Sequence, residues 1–203
     1  MLIDPAALEP REFYQHLVRV VVPRPIGWIS TTSPDGVDNL APYSFFNAVC
    51  ADPPTVFFSG SRDRHGNQKH SVDHALARGE FVVNIVQDKL GEQMNRTSGT
   101  FAEDESEFDA AGLTRARCEV VTPPRVAEAD VSLECRVSKS FDLGDGGPMS
   151  VTLVFGEIVR MHVSDAILGP DGRADPDKLD ALGRMGGSVY TRTRERLEYD
   201  RPG

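Results

Sequence analysis

Apolar residues recur along this chain with two different periods, and the switch between them outlines the fold. Over Pro10 to Val18, Phe13, Tyr14, Leu17 and Val18 fall at helical spacing, which predicts one short amphipathic helix. Pro23 and Pro25 end it, because proline lacks an amide donor and restricts the residue before it. Ile26–Thr32 reads as a strand rich in β-branched residues, Ser33-Pro34-Asp35-Gly36 as a turn, and Val37–Tyr43 as the return strand. Thr55–Ser59, after the breaker Pro53-Pro54, is a short apolar strand. Gln68–Arg78 sets Val72, Ala75 and Leu76 on one helical face, with Gly79 where a C-cap glycine belongs. Phe81–Val86 is a buried-strand candidate and Asp88–Thr97 a helix candidate. The acidic run Glu103 to Glu107 that follows reads as a solvated loop or helix face.

The second half carries the clearest period of two. Val131, Leu133, Cys135 and Val137 alternate with Ser132, Glu134, Arg136 and Ser138. Met149, Val151, Leu153 and Phe155 alternate likewise, and the pattern runs on through Val159, Met161 and Val163. Each set predicts an antiparallel strand with one buried and one wetter face. Asp145-Gly146-Gly147-Pro148 is the loop between them, and Asp175-Pro176 opens a last helix through Leu182. Strands outnumber helices and do not alternate with them, so the expected architecture is mainly β with short peripheral helices. A nucleotide fold of the strand–helix–strand kind is not expected, and neither GxGxxG nor GxxxxGK[ST] occurs.

Composition narrows the partners. A length of 203 residues with 39% apolar positions suits a single domain spanning 1–203. The formal net charge of −9 argues against nucleic acid or an anionic membrane as a ligand, since both demand a basic face. No apolar run approaches the roughly 20 residues of a membrane span. The start, Met1-Leu2-Ile3-Asp4-Pro5, lacks a charged-then-apolar leader, so a cytoplasmic protein is expected. Cys50, Cys118 and Cys135 show no CxxC spacing and read as reduced thiols, at least two of them buried.

Two runs have the make-up of a site for a flat heterocycle. Arg24-Pro25-Ile26-Gly27-Trp28-Ile29 ends in the hydroxyls of Ser30, Thr31 and Thr32. Asn39-Leu40-Ala41-Pro42-Tyr43-Ser44-Phe45-Phe46-Asn47 sets polar groups among aromatics. On spacing alone an ordinary hairpin with a Ser/Thr-rich end explains them as well. The segment Ser59 to Ser71 offers Ser61, Arg62, Arg64, Lys69 and a helix start, which together suit a phosphate; Arg62-Asp63-Arg64 is equally readable as a solvated loop. His65, His70 and His74 form the rival constellation. His70 and His74 would share a helix face as zinc ligands do, but no fourth ligand follows at familiar spacing, so no metal site is expected. Cys50 lies close enough in sequence to the aromatic run for a redox thiol to be considered, but no partner thiol is evident and a buried structural cysteine is expected.

Taken in order, these runs resemble the flavin reductase-like, FMN-binding split-barrel family, in the branch that includes flavoredoxin and small flavin reductase components. The likeness continues through Asp52-Pro53-Pro54, Gly79-Glu80-Phe81-Val82-Val83-Asn84 and Phe155-Gly156-Glu157-Ile158-Val159. It closes with Gly183-Arg184-Met185-Gly186-Gly187-Ser188-Val189-Tyr190. The resemblance implies an antiparallel, Greek-key-like split β-barrel that binds FMN. Ser30, Thr31 and Thr32 match residues lining the flavin, and Pro42, Tyr43, Ser44 and Asn47 match the loop at its ring edge. Ser61, Arg62, Lys69 and Ser71 match the phosphate region. Gly187 and Tyr190 match a loop that reaches the flavin, in many relatives from a second subunit. A homodimer is therefore expected, with NADH or NADPH as co-substrate and a monooxygenase or other electron acceptor as partner. One departure bears on this: where many relatives carry Gly-Asp-His, this chain has Asp145-Gly146-Gly147-Pro148-Met149. The flavin reading is untouched by it, whereas direct use of a nicotinamide is not; the alternative is an FMN-bound electron carrier.

Overall fold

The computed structural model describes residues 1–202; Gly203, the last residue of the expected domain, lies outside them. Helix α1 (Pro10–Val20) leads into β1 (Arg24–Pro25), β2 (Gly27–Thr32), β3 (Asp38–Tyr43), β4 (Phe46–Ala51) and β5 (Pro54–Ser61). Then come α2 (His70–Arg78), β6 (Glu80–Ile85), α3 (Gly91–Arg96), α4 (Glu107–Ala111), β7 (Arg115–Ala116) and β8 (Arg125–Val126). The long strands β9 (Val131–Leu143) and β10 (Val151–Val163) precede α5 (Pro176–Leu179), β11 (Leu182–Arg184) and β12 (Tyr190–Arg192). Seven strands form one antiparallel sheet in the order β3-β2-β6-β9-β10-β5-β4, which curls into a split barrel; β1, β11 and β12 form a small second sheet.

The barrel interior is filled from most of the strands at once. Ile29, Phe46, Val56, Phe58, Phe81, Val83, Leu133, Cys135 and Val154 pack in one buried cluster with Val72 and Ala75 of α2. Gly156 is the seat that makes this possible, because a Cβ there would run into the ring of Phe81. Strand β2 is buried on both faces. Ile29 points into the barrel, while Trp28 joins a second cluster with Leu40, Met94, Phe108 and Leu182 beneath α3 and α4. Trp28 is fully buried, and its Nε1 donates to Thr97 Oγ1 at 2.8 Å.

Several expectations are corrected. The polar face of β9 is not wet: Ser132 and Glu134 are buried there under the segment around Cys118 and Val121. Strand β10 has the expected alternation with the sides exchanged. Thr152, Val154 and Gly156 face the core, while Val151, Leu153 and Phe155 lie half-exposed on the outside and Met161 is exposed. Irregularities between Phe155 and Gly156 and between Ile158 and Arg160 shift the phase. The last helix stops at Leu179, because Asp180 adopts a left-handed conformation (φ 46°) and Leu182 starts a strand instead. The run ending at Asn47 continues as strand β4, on which Cys50 is exposed rather than buried; Cys118 and Cys135 are the buried thiols. Glu107 is not solvated but buried at 5% exposure.

Glu134 is the costliest group in this interior, and its partners explain why it is tolerated. Its carboxylate accepts from the amides of Glu119 (2.8 Å), Val120 (2.7 Å) and Val121 (3.0 Å), and it meets His162 Nε2. Burial alone would raise its pKa, yet these hydrogen bonds outweigh burial and hold it below the ordinary value. The stability it provides is therefore present above the unfolded carboxylate pKa and lost as pH falls through the lower folded one. Glu134→Gln, which turns an amide NH2 toward those donors, is expected to destabilise the fold by about 2–3 kcal/mol at neutral pH. In denaturant titrations the gap should shrink in acid; a gap that stays constant with pH contradicts the role assigned to the charge.

Candidate functional site

A cavity of about 1200 Å³ opens on the outer side of β5 and β10, between α1, the start of α2 and the loop after α3. Local packing fixes its rear wall. A Cβ on Gly60 would strike Val72 Cγ2, so glycine there lets α2 lie directly on β5. The rings of Tyr43 and Phe58 then stand 5.0 Å apart, and Phe58 and Phe81 5.2 Å apart, linking the cavity wall to the barrel core. A second cavity of about 360 Å³ adjoins it, sharing Tyr14, Gln15, Pro42, Ser44 and Ser98.

Of the residues singled out from sequence, Pro42, Tyr43, Ser44, Ser61, Arg62, Lys69 and Ser71 all line the larger cavity. Gly187 and Tyr190 line the smaller one, together with Pro42 and Ser44. The strand-end hydroxyls lie elsewhere. Ser30 Oγ donates to Pro124 O at 2.5 Å, Thr32 Oγ1 donates to Asp38 Oδ1 at 2.7 Å, and Thr31 Oγ1 sits 3.5 Å from His74 Nδ1. Each is buried against a neighbouring element, away from both cavities. Asn47 is exposed on the edge strand β4, where its Oδ1 accepts from the amide of Ala48 at 2.8 Å. His70 and His74 stack with ring centroids 5.9 Å apart, while His65 is turned toward Arg64.

The donor set of the larger cavity is that of an anion site. Lys69 immediately precedes α2, no side chain caps that helix, and the Lys69 ammonium has no hydrogen-bond or ion-pair partner among the described residues. Arg62 Nη1 donates to Gly66 O at 3.1 Å, which holds the guanidinium at the rim. The hydroxyls of Ser59, Ser61 and Ser71 complete the group. Gln68 adds the opposite need: its Nε2 donates to Thr152 Oγ1 at 2.7 Å, but its Oε1 is buried without a partner. A ligand that carries both an anionic head and hydroxyl donors would satisfy these groups, whereas Asp63, Asp73, Glu103 and Glu107 on the same wall oppose an anion.

Sequence reasoning missed Gln68, Glu107 and the Thr97–Phe101 stretch of the same wall. The small polar run Ser98-Gly99-Thr100 was a legible loop signal, whereas nothing local marked Glu107 for burial.

Known proteins share this fold. Residues 19–176 match the model of the family described as flavin reductase like domain. An uncharacterized protein of Halalkalibacterium halodurans is 36% identical over 203 residues, covering 100% of this chain and 97% of that one. Nitrilotriacetate monooxygenase component B from Bacillus cereus superposes with a TM-score of 0.93 at 32% identity, covering 98% of each chain. The 2-nitrobenzoate 2-nitroreductase NbaA of Pseudomonas fluorescens superposes with a TM-score of 0.89 at 28% identity, covering 100% of this chain and 96% of that one.

Arg24 holds the smaller cavity together. Its buried guanidinium donates to the carbonyls of Val18 (2.7 Å), Val21 (2.6 Å) and Met185 (2.5 Å), with Nε 3.4 Å from Ser44 Oγ. It thereby ties the end of α1, the loop at Ser44 and the Met185–Tyr190 hairpin to one point. Lysine cannot serve three carbonyls in that fork geometry. Arg24→Lys is expected to destabilise the protein by about 3 kcal/mol and to raise hydrogen exchange selectively in residues 185–190. Unchanged exchange there contradicts the tethering role.

Proposed function

The chain belongs to the flavin reductase like family, and on that footing we propose that it binds FMN and acts as an NAD(P)H-dependent flavin reductase. The observation that carries the reading is the anion site at the start of α2, with unpartnered Lys69 beside Arg62, Ser61 and Ser71, inside a cavity large enough for a mononucleotide. In this reading Lys69, Arg62 and the serine hydroxyls hold the phosphate. Gln68 Oε1 accepts from a ribityl hydroxyl, and Pro42, Tyr43 and Ser44 border the ring. FMN supplies the hydride-accepting N5 and the one- or two-electron chemistry, so no side-chain acid or base is required of the protein. The side chains orient the ligand.

A homodimer is part of the proposal. The outer face of β5, β9 and β10 carries Phe57, Phe141, Leu153 and Phe155, with Phe57 and Phe155 stacked at 5.7 Å and Phe141 edge-on to Phe155 at 5.8 Å. Phe141 and Leu143 are more than half exposed, at 54% and 59%. This face runs directly into the cavity, whose wall includes Ser59, Ser61 and Val151 of the same outer side. A second copy seated there covers the aromatic face, and Asn47, which lies outside its own cavity, is then placed to serve the partner's. Light scattering should give a dimer, and Phe155→Glu should yield a folded monomer with weaker FMN binding. A wild-type monomer that binds FMN fully contradicts the shared site.

Electron transfer to a separate acceptor, a monooxygenase component among the candidates, is the proposed role. The name of the Bacillus cereus relative supports it. The histidine-free Asp145–Pro148 loop favours a second reading, an electron carrier not reduced by nicotinamides. Absence of one hydrogen bond to the donor would cost about 1–2 kcal/mol, or roughly 5- to 30-fold in efficiency, which slows a reductase without abolishing it. Anaerobic stopped-flow mixing separates the two readings. Modest, saturable reduction of the flavin by NADH or NADPH is expected; reduction by dithionite alone supports the carrier.

The phosphate assignment has its own measurement. FMN should bind more tightly than riboflavin, and Lys69→Ala should weaken FMN by about 1.5–3 kcal/mol while leaving riboflavin unchanged. Equal affinity of the wild-type protein for the two ligands removes the phosphate site.

A further inference from the structure

Glu107 is a buried carboxylate in the wall of an anion-binding cavity, an arrangement that opposes the ligand unless the charge is removed. Its Oε2 accepts from the amide of Leu40 at 2.9 Å, and no cation pairs with it among the described residues. Beside it lies the side-chain amide of Asn39, whose other side meets Ser71 Oγ at 2.7 Å, with the Tyr43 side chain next to Ser71. All four side chains line the larger cavity. Three cations, Arg11, Arg62 and Lys69, face four carboxylates there: Asp63, Asp73, Glu103 and Glu107. Burial pushes the Glu107 carboxyl above its ordinary pKa, against the Leu40 amide and the nearby His70.

The amide of Asn39 reads the state of this carboxyl. In the amide orientation that satisfies both neighbours, Asn39 Nδ2 donates to the ionised Glu107 at Oε1 (3.1 Å) and Oδ1 accepts from Ser71 Oγ at 2.7 Å. The Ser71 proton is then committed to Asn39, and Ser71 presents lone pairs to the cavity. Protonation of Glu107 would reverse this arrangement: the carboxyl hydroxyl then donates to Asn39 Oδ1, the amide turns over, and Nδ2 donates to Ser71 Oγ. The Ser71 hydroxyl then has its proton to offer to the cavity, and the wall carries one negative charge fewer.

We infer that Glu107 makes this a proton-coupled anion site: a phosphate ester enters with uptake of one proton by Glu107, relayed through Asn39 to turn Ser71 into a donor. Glu107 is thus a positioning residue. The other titratable or charged groups around it are His70 and Asp73 on α2, Tyr43 on β3, Glu103 before α4, and Arg115 on β7, which is bound to Asp38 and Asp109. Anion binding raises the pKa of Glu107 further. Affinity is therefore greatest below the pKa of Glu107 in the empty protein and falls as pH rises above it, with a limiting slope of about tenfold per pH unit for one proton.

The inference rests on the FMN reading, and one experiment separates the two. FMN binding to the full chain is measured by calorimetry across mildly acid to mildly alkaline pH, in buffers of different ionisation enthalpy, for wild type and Glu107→Gln. The second ionisation of the phosphate, at about 6, is common to both proteins and cancels in the comparison. Glutamine mimics the protonated carboxyl, since its Oε1 accepts from Leu40 and its Nε2 donates to Asn39. Glu107→Gln is expected to take up nearly one proton fewer than wild type per FMN and to keep tight binding at alkaline pH, where wild type weakens. Equal proton uptake by the two proteins overturns the coupling and leaves FMN binding standing, whereas no binding by either overturns both. Should Glu107→Gln fail to fold, Ser71→Ala decides. Weaker FMN binding with reduced proton uptake supports the relay, and undiminished uptake overturns it.

Discussion

The seating of Phe81 on Gly156 is the contact on which the rest of the molecule depends. It lets a full aromatic ring cross the barrel at a point where any side chain on β10 would collide with it. Phe81 meets Phe58 edge-on, Phe58 meets Tyr43, and the column ends at the cavity wall. Core packing thus sets one wall of the cavity, and the loops at residues 62–69 and 97–103 supply much of the rest. A second close approach, Val72 over Gly60, presses α2 against β5 and brings Lys69 and Ser71 to the same wall. Close-packed interiors transmit small displacements, so a methyl group added at either glycine moves the functional side chains as well as the core.

Charge follows a comparable logic of burial with compensation. Glu134 is buried and fully hydrogen-bonded, so its burial is tolerated and its pKa stays low. Glu107 is buried with one backbone donor, the Leu40 amide, and the side-chain amide of Asn39 beside it, and burial there raises its pKa. The two differ in donors, since both are well removed from water: Glu134 is 0% and Glu107 5% exposed. The better-satisfied carboxylate holds the fold, and the less-satisfied one lies in the wall of the larger cavity.

Much of this was legible in the sequence. The hairpin of β2 and β3, the strands β5, β6, β9 and β10, helix α2 and its left-handed cap at Gly79 follow from period and punctuation. Ser61, Arg62, Lys69 and Ser71, chosen on the family resemblance and on local charge beside a helix start, line one cavity. What failed to read out depends on tertiary roofing. The polar face of β9 looked wet because nothing local reveals that residues near Cys118 fold over it. Strand β10 alternates between Val154 inside and Leu153 outside, and period alone cannot say which side is the core when both are apolar. The apolar outer face misled for that reason, and it is the same face on which a second copy is proposed to sit. The hydroxyls of Ser30, Thr31 and Thr32 satisfied a family pattern, but in this chain they are bound to Pro124, His74 and Asp38.

The central claim is that the cavity beside α2 is where the nucleotide's phosphate resides. A crystal structure of the protein grown with FMN tests it most directly. The account predicts the phosphate within hydrogen-bonding distance of Lys69, Arg62 and at least one of Ser61 and Ser71, with Gln68 Oε1 accepting from the ribityl chain. A phosphate found in solvent, or against Arg24 and Arg184 in the smaller cavity, contradicts it.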